Sequence, residues 1–285
     1  MKLKKIIFPA IVLTAVGAII KLCDTFFNVN GTGFIFSSDV CNITLAVCFI
    51  LLYAVGFILS LTDRKKEFSA APSKNFLCGV FGFIASVSLI GGGVVKLITL
   101  HDASLVESIL SIAAGFVLLY EACISFTGSN GIKKVPVVAL IVPIWCCFRF
   151  ITLFTEYTQR SLKAVEMFDI IEVAFLIMFL FYQSMFFAGI NNKLAIRKST
   201  VYGTVFIMLS LIVSADLFIK MATGTQTVTN IDTQIVSPTI TNIITICGDI
   251  ALACYAFFFL AEILSAADRS IPESLFPILS KMSSR

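Results

Sequence analysis

Eight runs of about 20 apolar residues, separated by short polar stretches, constrain this chain more than any other feature. At 1.5 Å per residue, a helix of about 20 residues crosses the ~30 Å hydrocarbon core of a bilayer. The spans are placed at Ile6–Phe26, Asn42–Leu61, Phe76–Leu100, Leu105–Phe126, Val135–Thr155, Val165–Ile190, Val201–Ala222 and Asn242–Leu264. Barrel strands are about 10 residues long and alternate in polarity. These runs are longer and uniformly apolar. The expected fold class is therefore all-α: a polytopic membrane helical bundle in a single integral membrane domain over residues 1–285.

Composition closes the soluble alternatives. The chain is 58% hydrophobic and 13% charged, with 28 phenylalanines. A soluble domain is about 25% charged. A chain this poor in charge cannot cover itself with water-compatible surface, so lipid is its expected partner. The first run follows Lys2, Lys4 and Lys5 and resembles a secretory signal. It is long for one and lacks a small-residue cleavage site, so it is expected to stay attached as the first helix.

The net charge of +4 is less informative than its distribution. Basic residues cluster at the N-terminus, at Arg64, Lys65, Lys66 and Lys74, at Lys133 and Lys134, and at Lys193, Arg197 and Lys198. With eight crossings these clusters share one side with the C-terminal Arg269, Lys281 and Arg285. The positive-inside rule makes that side, and both termini, cytoplasmic. The opposite loops hold His101, Asp102 and Asp232, with Arg160 and Lys163 as their clearest bases. The longest of them are Asn28–Cys41 and the threonine-rich Gly224–Thr241, which carries Pro238. A short cytoplasmic tail covers 267–285, and its Ile271–Ile278 part is apolar enough to lie along the membrane. Compact loops and the lack of a targeting extension fit a bacterial cytoplasmic membrane. No polar domain offers a nucleic-acid surface.

The chain also reads as a helical hairpin copied four times, over 5–66, 74–129, 133–192 and 199–266. Odd spans align on Lys21, Lys96 and Arg149, with Leu217 in the fourth place. Even spans align on Tyr53, Tyr120, Tyr182 and Phe259. All copies would share one orientation, unlike inverted-repeat transporters.

Function, if legible, lies in the intramembrane polar residues, because a charge there is costly and is paired, snorkelling or functional. The outer half holds Lys21, Lys96, Glu107, Arg149, Asp169, Glu172, Asp216 and Asp249. Arg149 and Glu172 sit at similar depth on neighbouring spans and are the expected pair; Lys96 and Glu107 flank a short turn and are expected to pair likewise. The bland alternative has Lys21 and Lys96 snorkelling, and Glu107 and Asp169 in the headgroup layer. Tyr120, Glu121 and Gln183 form a candidate inner site, whose bland alternative is a headgroup-level carboxylate beside a belt tyrosine. Gly79, Gly82, Ser86, Ser88 and Gly91–Gly93 offer either close packing or a break in span three. Pro143 is expected to bend span five near Arg149.

Several chemistries are disfavoured. The one histidine, His101, excludes bis-histidine haem ligation and a histidine zinc cage. No HExxH, phosphate-loop or GxSxG element occurs. The nine cysteines include no CxxC pair, and only Cys23 and Cys41 are placed to form a disulfide. No cofactor or metal is expected, and an enzyme is the less favoured class. Two functions remain. One is a transporter, or its membrane subunit, binding a small charged or zwitterionic solute in an outer polar cavity. The other is a structural or regulatory protein binding lipid or another membrane protein, its charges locking the bundle.

Overall fold

The structure, a computed structural model, describes residues 12–21, 23, 38–62, 74–99, 105–128, 135–158, 166–223 and 240–269. Its secondary structure is entirely helical among these residues. The helices are α1 (Val12–Lys21), α2 (Ser38–Thr62), α3 (Phe76–Thr99), α4 (Leu105–Thr127), α5 (Ile141–Thr158), α6 (Glu166–Ala188), α7 (Asn192–Thr223) and α8 (Ile240–Arg269). Seven of them are long and apolar enough to cross a membrane. The first predicted span is described only as the shorter apolar α1. The chain is thus a multi-pass membrane protein. The basic clusters at 2–5, 64–66 and 133–134, the loop residues His101, Asp102, Arg160, Lys163 and Asp232, most of the two long loops, and nearly all of the tail lie outside the described residues. Cys23 is a free thiol, and the Cys41 side chain lies outside the described residues.

Local signals explain the helix ends. Asn75 caps α3 by accepting a hydrogen bond from the Cys78 backbone N–H at 3.1 Å. At the end of α6, Gly189 adopts φ 75°, and Ile190 N–H donates to Met185 O at 2.9 Å while Gly189 N–H donates to Phe186 O. This paired closure needs a left-handed residue, which glycine supplies without a Cβ clash. Asn191 (φ 46°) then caps α7 through Leu194 N–H. The turn is so tight that α7 begins well before the predicted Val201. Lys193, Arg197 and Lys198 therefore lie on the helix and not in a loop. Arg197 is buried and donates to the backbone and hydroxyl oxygens of Ser60, tying α7 to the end of α2.

Span five also differs from expectation. Residues Pro136–Leu140 form a 3₁₀ turn, and the α-helix starts at Ile141. Pro143 thus falls in the first turn of α5, where its missing N–H has no intrahelical partner to lose. It sits within the span, just past the junction of the 3₁₀ turn with α5.

α3 packs along α4 and α8, α6 along α7, and α5 lies between α4 and α6. α2 packs chiefly on α7. The core between these helices is aromatic, with Phe179, Phe186, Phe187, Tyr255 and Phe259 in mutual ring contact. A smaller cluster joins Leu13 and Ala18 of α1 to Leu45 of α2 and Met208 of α7.

Gly79, Gly82 and Gly93 of α3 serve close packing. The helix runs unbroken through Gly91–Gly93. A Cβ at Gly93 would stand 2.8 Å from Ile112 Cγ1 and 2.9 Å from Ser108 O, whereas one at Gly91 meets nothing within 4 Å. Gly115 answers from α4, where a Cβ would stand 3.0 Å from Ser86 O. Gly93→Ala is therefore expected to cost about 1–3 kcal/mol through overpacking. Gly91→Ala should be neutral or slightly stabilising, since it adds helix propensity without a clash. Thermal unfolding midpoints in detergent compare the two; equal midpoints would contradict close contact of α3 with α4.

Candidate polar site between helices α3, α4, α5 and α8

Two ion pairs converge at the end of the bundle that carries the α3–α4 turn. Lys96, three residues before the end of α3, holds Glu107 in the first turn of α4, with Nζ donating to Oε1 at 2.7 Å. Arg149 of α5 grips Asp249 of α8 in a bidentate fork, NH1 to Oδ1 and NH2 to Oδ2, both at 2.9 Å. Each of these residues is nine positions from its helix end, or about 14 Å along the axis. Their side chains are only 18% and 15% exposed. A charge at that depth requires its partner, and the planar guanidinium matches a carboxylate in two parallel bonds. The Arg149 guanidinium also lies 5.9 Å from the Trp145 ring centre, one turn back on α5.

Both pairs line one pocket of about 60 Å³. Ser88, Ser111, Trp145, Thr245 and Gly248 contribute to the same wall. Gly248 lets α8 pack closely on α3 there: a Cβ would stand 3.1 Å from Ser88 Cβ, a tight contact. Trp145 is 3% exposed, and its indole N–H is buried without a hydrogen-bond partner among the described residues.

The expected Arg149–Glu172 pair is not formed. Glu172 is buried, takes a hydrogen bond from Ser210, and lies within electrostatic reach of Arg149, Asp249 and Asp169. Ser210 also contacts the Asp249 backbone oxygen at 3.3 Å. The cause is azimuth and not depth. Val142, Trp145, Cys146 and Arg149 share the inward stripe of α5, which aims the guanidinium across the bundle to α8. Lys21 does not snorkel: it is 4% exposed and sits 4.0 Å from Asp216, coupling α1 to α7 away from the pocket. Glu107 likewise is buried at 6%. Asp169 is half-buried near Glu172 and does not line the pocket.

The inner candidates divide. Tyr120 points outward, 46% exposed, while Glu121 is 1% exposed. Glu121 is no headgroup-level carboxylate. Gln183 Nε2 donates to Glu121 Oε2 and to the Tyr255 hydroxyl, both at 2.7 Å, and Tyr255 in turn reaches Glu121 at 3.3 Å. The triad joins α4, α6 and α8. Tyr255 and Trp145 were not singled out from sequence; their signal is helical spacing, Trp145 one turn from Arg149, and Tyr255 six residues beyond Asp249 on the stripe that continues to Phe259.

No family model, curated protein or solved structure matches this chain. The site must be interpreted from its own geometry.

Proposed function

We propose that this protein is a small-solute transporter, or the membrane subunit of one, whose solute pocket lies where α3, α4, α5 and α8 meet. One observation carries the reading: two ion pairs drawn from different helices line a single small pocket in a chain otherwise solvated by lipid. Charges that served only to lock helices would have no need of a shared cavity lined with hydroxyls and a spare indole N–H. Ligand sites typically combine such a concavity with a few convergent polar groups. In this reading both termini are cytoplasmic, the membrane is the bacterial cytoplasmic membrane, and the pocket faces outward. The four hairpins would be tandem copies of one orientation. No step of covalent chemistry is involved; the solute would be passed by gated access.

The closed, bidentate form of the Arg149–Asp249 contact favours a second reading. Here the protein is a structural or regulatory partner of lipid or of another membrane protein, and the pairs hold the bundle together.

Water access separates the two. In a background without native cysteines, Ser88→Cys is expected to react rapidly with a membrane-impermeant maleimide in intact cells. Phe116→Cys, on the exposed face of α4, is expected to stay unlabelled because it faces hydrocarbon. If Ser88→Cys proves as inert as Phe116→Cys in correctly inserted protein, the transporter reading fails and the structural one stands.

A further inference from the structure

The pocket holds more unused donors than unused acceptors. Both Asp249 oxygens and one Glu107 oxygen are engaged by Arg149 and Lys96. A guanidinium carries five N–H groups and an ammonium three. The two pairs therefore leave several N–H groups of Arg149 and Lys96, both of which line the pocket, without a bond to the paired carboxylates. Trp145 Nε1 adds a donor that has no partner at all among the described residues. A buried, unmade hydrogen bond of this kind costs about 1–3 kcal/mol, which a bound acceptor would recover. The charges of the lining cancel in pairs, so hydrogen bonding, not net field, selects the occupant.

Resting on the solute-pocket reading above, we infer that the pocket binds a compact monoanion with oxygen acceptors, a short carboxylate or an oxyanion of that size, held by Trp145 Nε1 together with the remaining N–H groups of Arg149 and Lys96. Size sets one limit. The pocket of about 60 Å³ has room for only a few heavy atoms, so the proposed ligand is small. Charge sets the other. Each cation of the lining is matched by a carboxylate, so the pocket offers no net positive charge to balance a dianion. Ser88 and Ser111 complete the wall, the latter already donating to Leu89 O at 2.9 Å.

The chain contains a single tryptophan, so its emission reports from inside this pocket. The full-length protein in detergent would be titrated with sodium formate against sodium gluconate at constant ionic strength. Parallel titrations would use ammonium gluconate, urea and sodium sulfate, with N-acetyltryptophanamide correcting for collisional quenching. Formate is expected to give a saturable emission change, and the other three none. Arg149→Lys, which keeps the charge opposite Asp249 but loses the fork, should raise the formate midpoint at least tenfold. Saturation by ammonium or urea without formate would overturn the anion inference while leaving a solute pocket in place. Saturation by sulfate as tightly as by formate would overturn the limit to monoanions. No saturation by any probe would overturn the inference, while the labelling of Ser88→Cys tests the pocket reading separately.

Discussion

Asp249→Ala is expected to lower the stability of the folded bundle by about 3–5 kcal/mol, the range for removing one partner of a buried ion pair. Exposed pairs contribute only ~0–1 kcal/mol, so burial decides which range applies. The two side chains are 18% and 15% exposed, and both oxygens of Asp249 are engaged. Without the carboxylate, Arg149 would remain about 14 Å from its helix end with no paired carboxylate among the described residues. The loss is read by titrating the protein from mild detergent into sodium dodecyl sulfate and following unfolding. The double variant Arg149→Met/Asp249→Leu should recover most of it, because replacing both charges by apolar groups avoids the stranded ion. A single-variant loss under about 1 kcal/mol, as for an exposed pair, would contradict the burial of this contact.

Gln183→Leu carries the second large effect. The amide supplies both 2.7 Å hydrogen bonds of the inner triad. Interhelical hydrogen bonds in membranes average ~0.6 kcal/mol and reach ~1.7, because the separated helices also find partners. Leaving a buried acceptor unpaired costs about 1–3 kcal/mol. Glu121 is 1% exposed and retains only the longer Tyr255 contact at 3.3 Å, while the substitution also removes Gln183 Oε1, which is buried without a partner among the described residues, so the middle of that range applies, about 2 kcal/mol. The same unfolding titration measures it. The triple variant Glu121→Leu/Gln183→Leu/Tyr255→Phe is expected to be more stable than Gln183→Leu alone, since no polar group is then left without a partner. A triple variant less stable than the single one would mean that the triad stabilises the bundle beyond its own satisfaction.

Sequence and structure part company in a consistent way. Length and apolarity are one-dimensional properties, so the long runs were legible and seven helices reach membrane-spanning length. Depth is nearly as simple, and Lys96 and Glu107, separated by one short turn, are brought together as the spacing suggested. Azimuth is not legible in a helix apolar on every side. Arg149 and Glu172 share a depth, yet the inward stripe of α5 carries Arg149 to α8. The same loss of azimuth hid the burial of Glu121, next to the outward Tyr120, and of Lys21 beside Asp216. Helix starts failed where local chemistry outweighed hydropathy. The Gly189–Asn191 turn lets α7 run back through its basic residues, and the 3₁₀ turn over Pro136–Leu140 places Pro143 in the first turn of α5. Trp145 and Tyr255 were hidden because, in so aromatic a chain, their polar atoms gain meaning only once neighbours are known.

Transport requires that one site meet both sides of the membrane in turn. The most direct measurement is labelling of Ser88→Cys, in the cysteine-free background, by an impermeant maleimide applied to right-side-out and to inverted membrane vesicles. Labelling in both preparations, slower from the side opposite the α3–α4 turn, is the predicted result. Labelling confined to one orientation, however long the exposure, would contradict transport and leave a pocket that only binds.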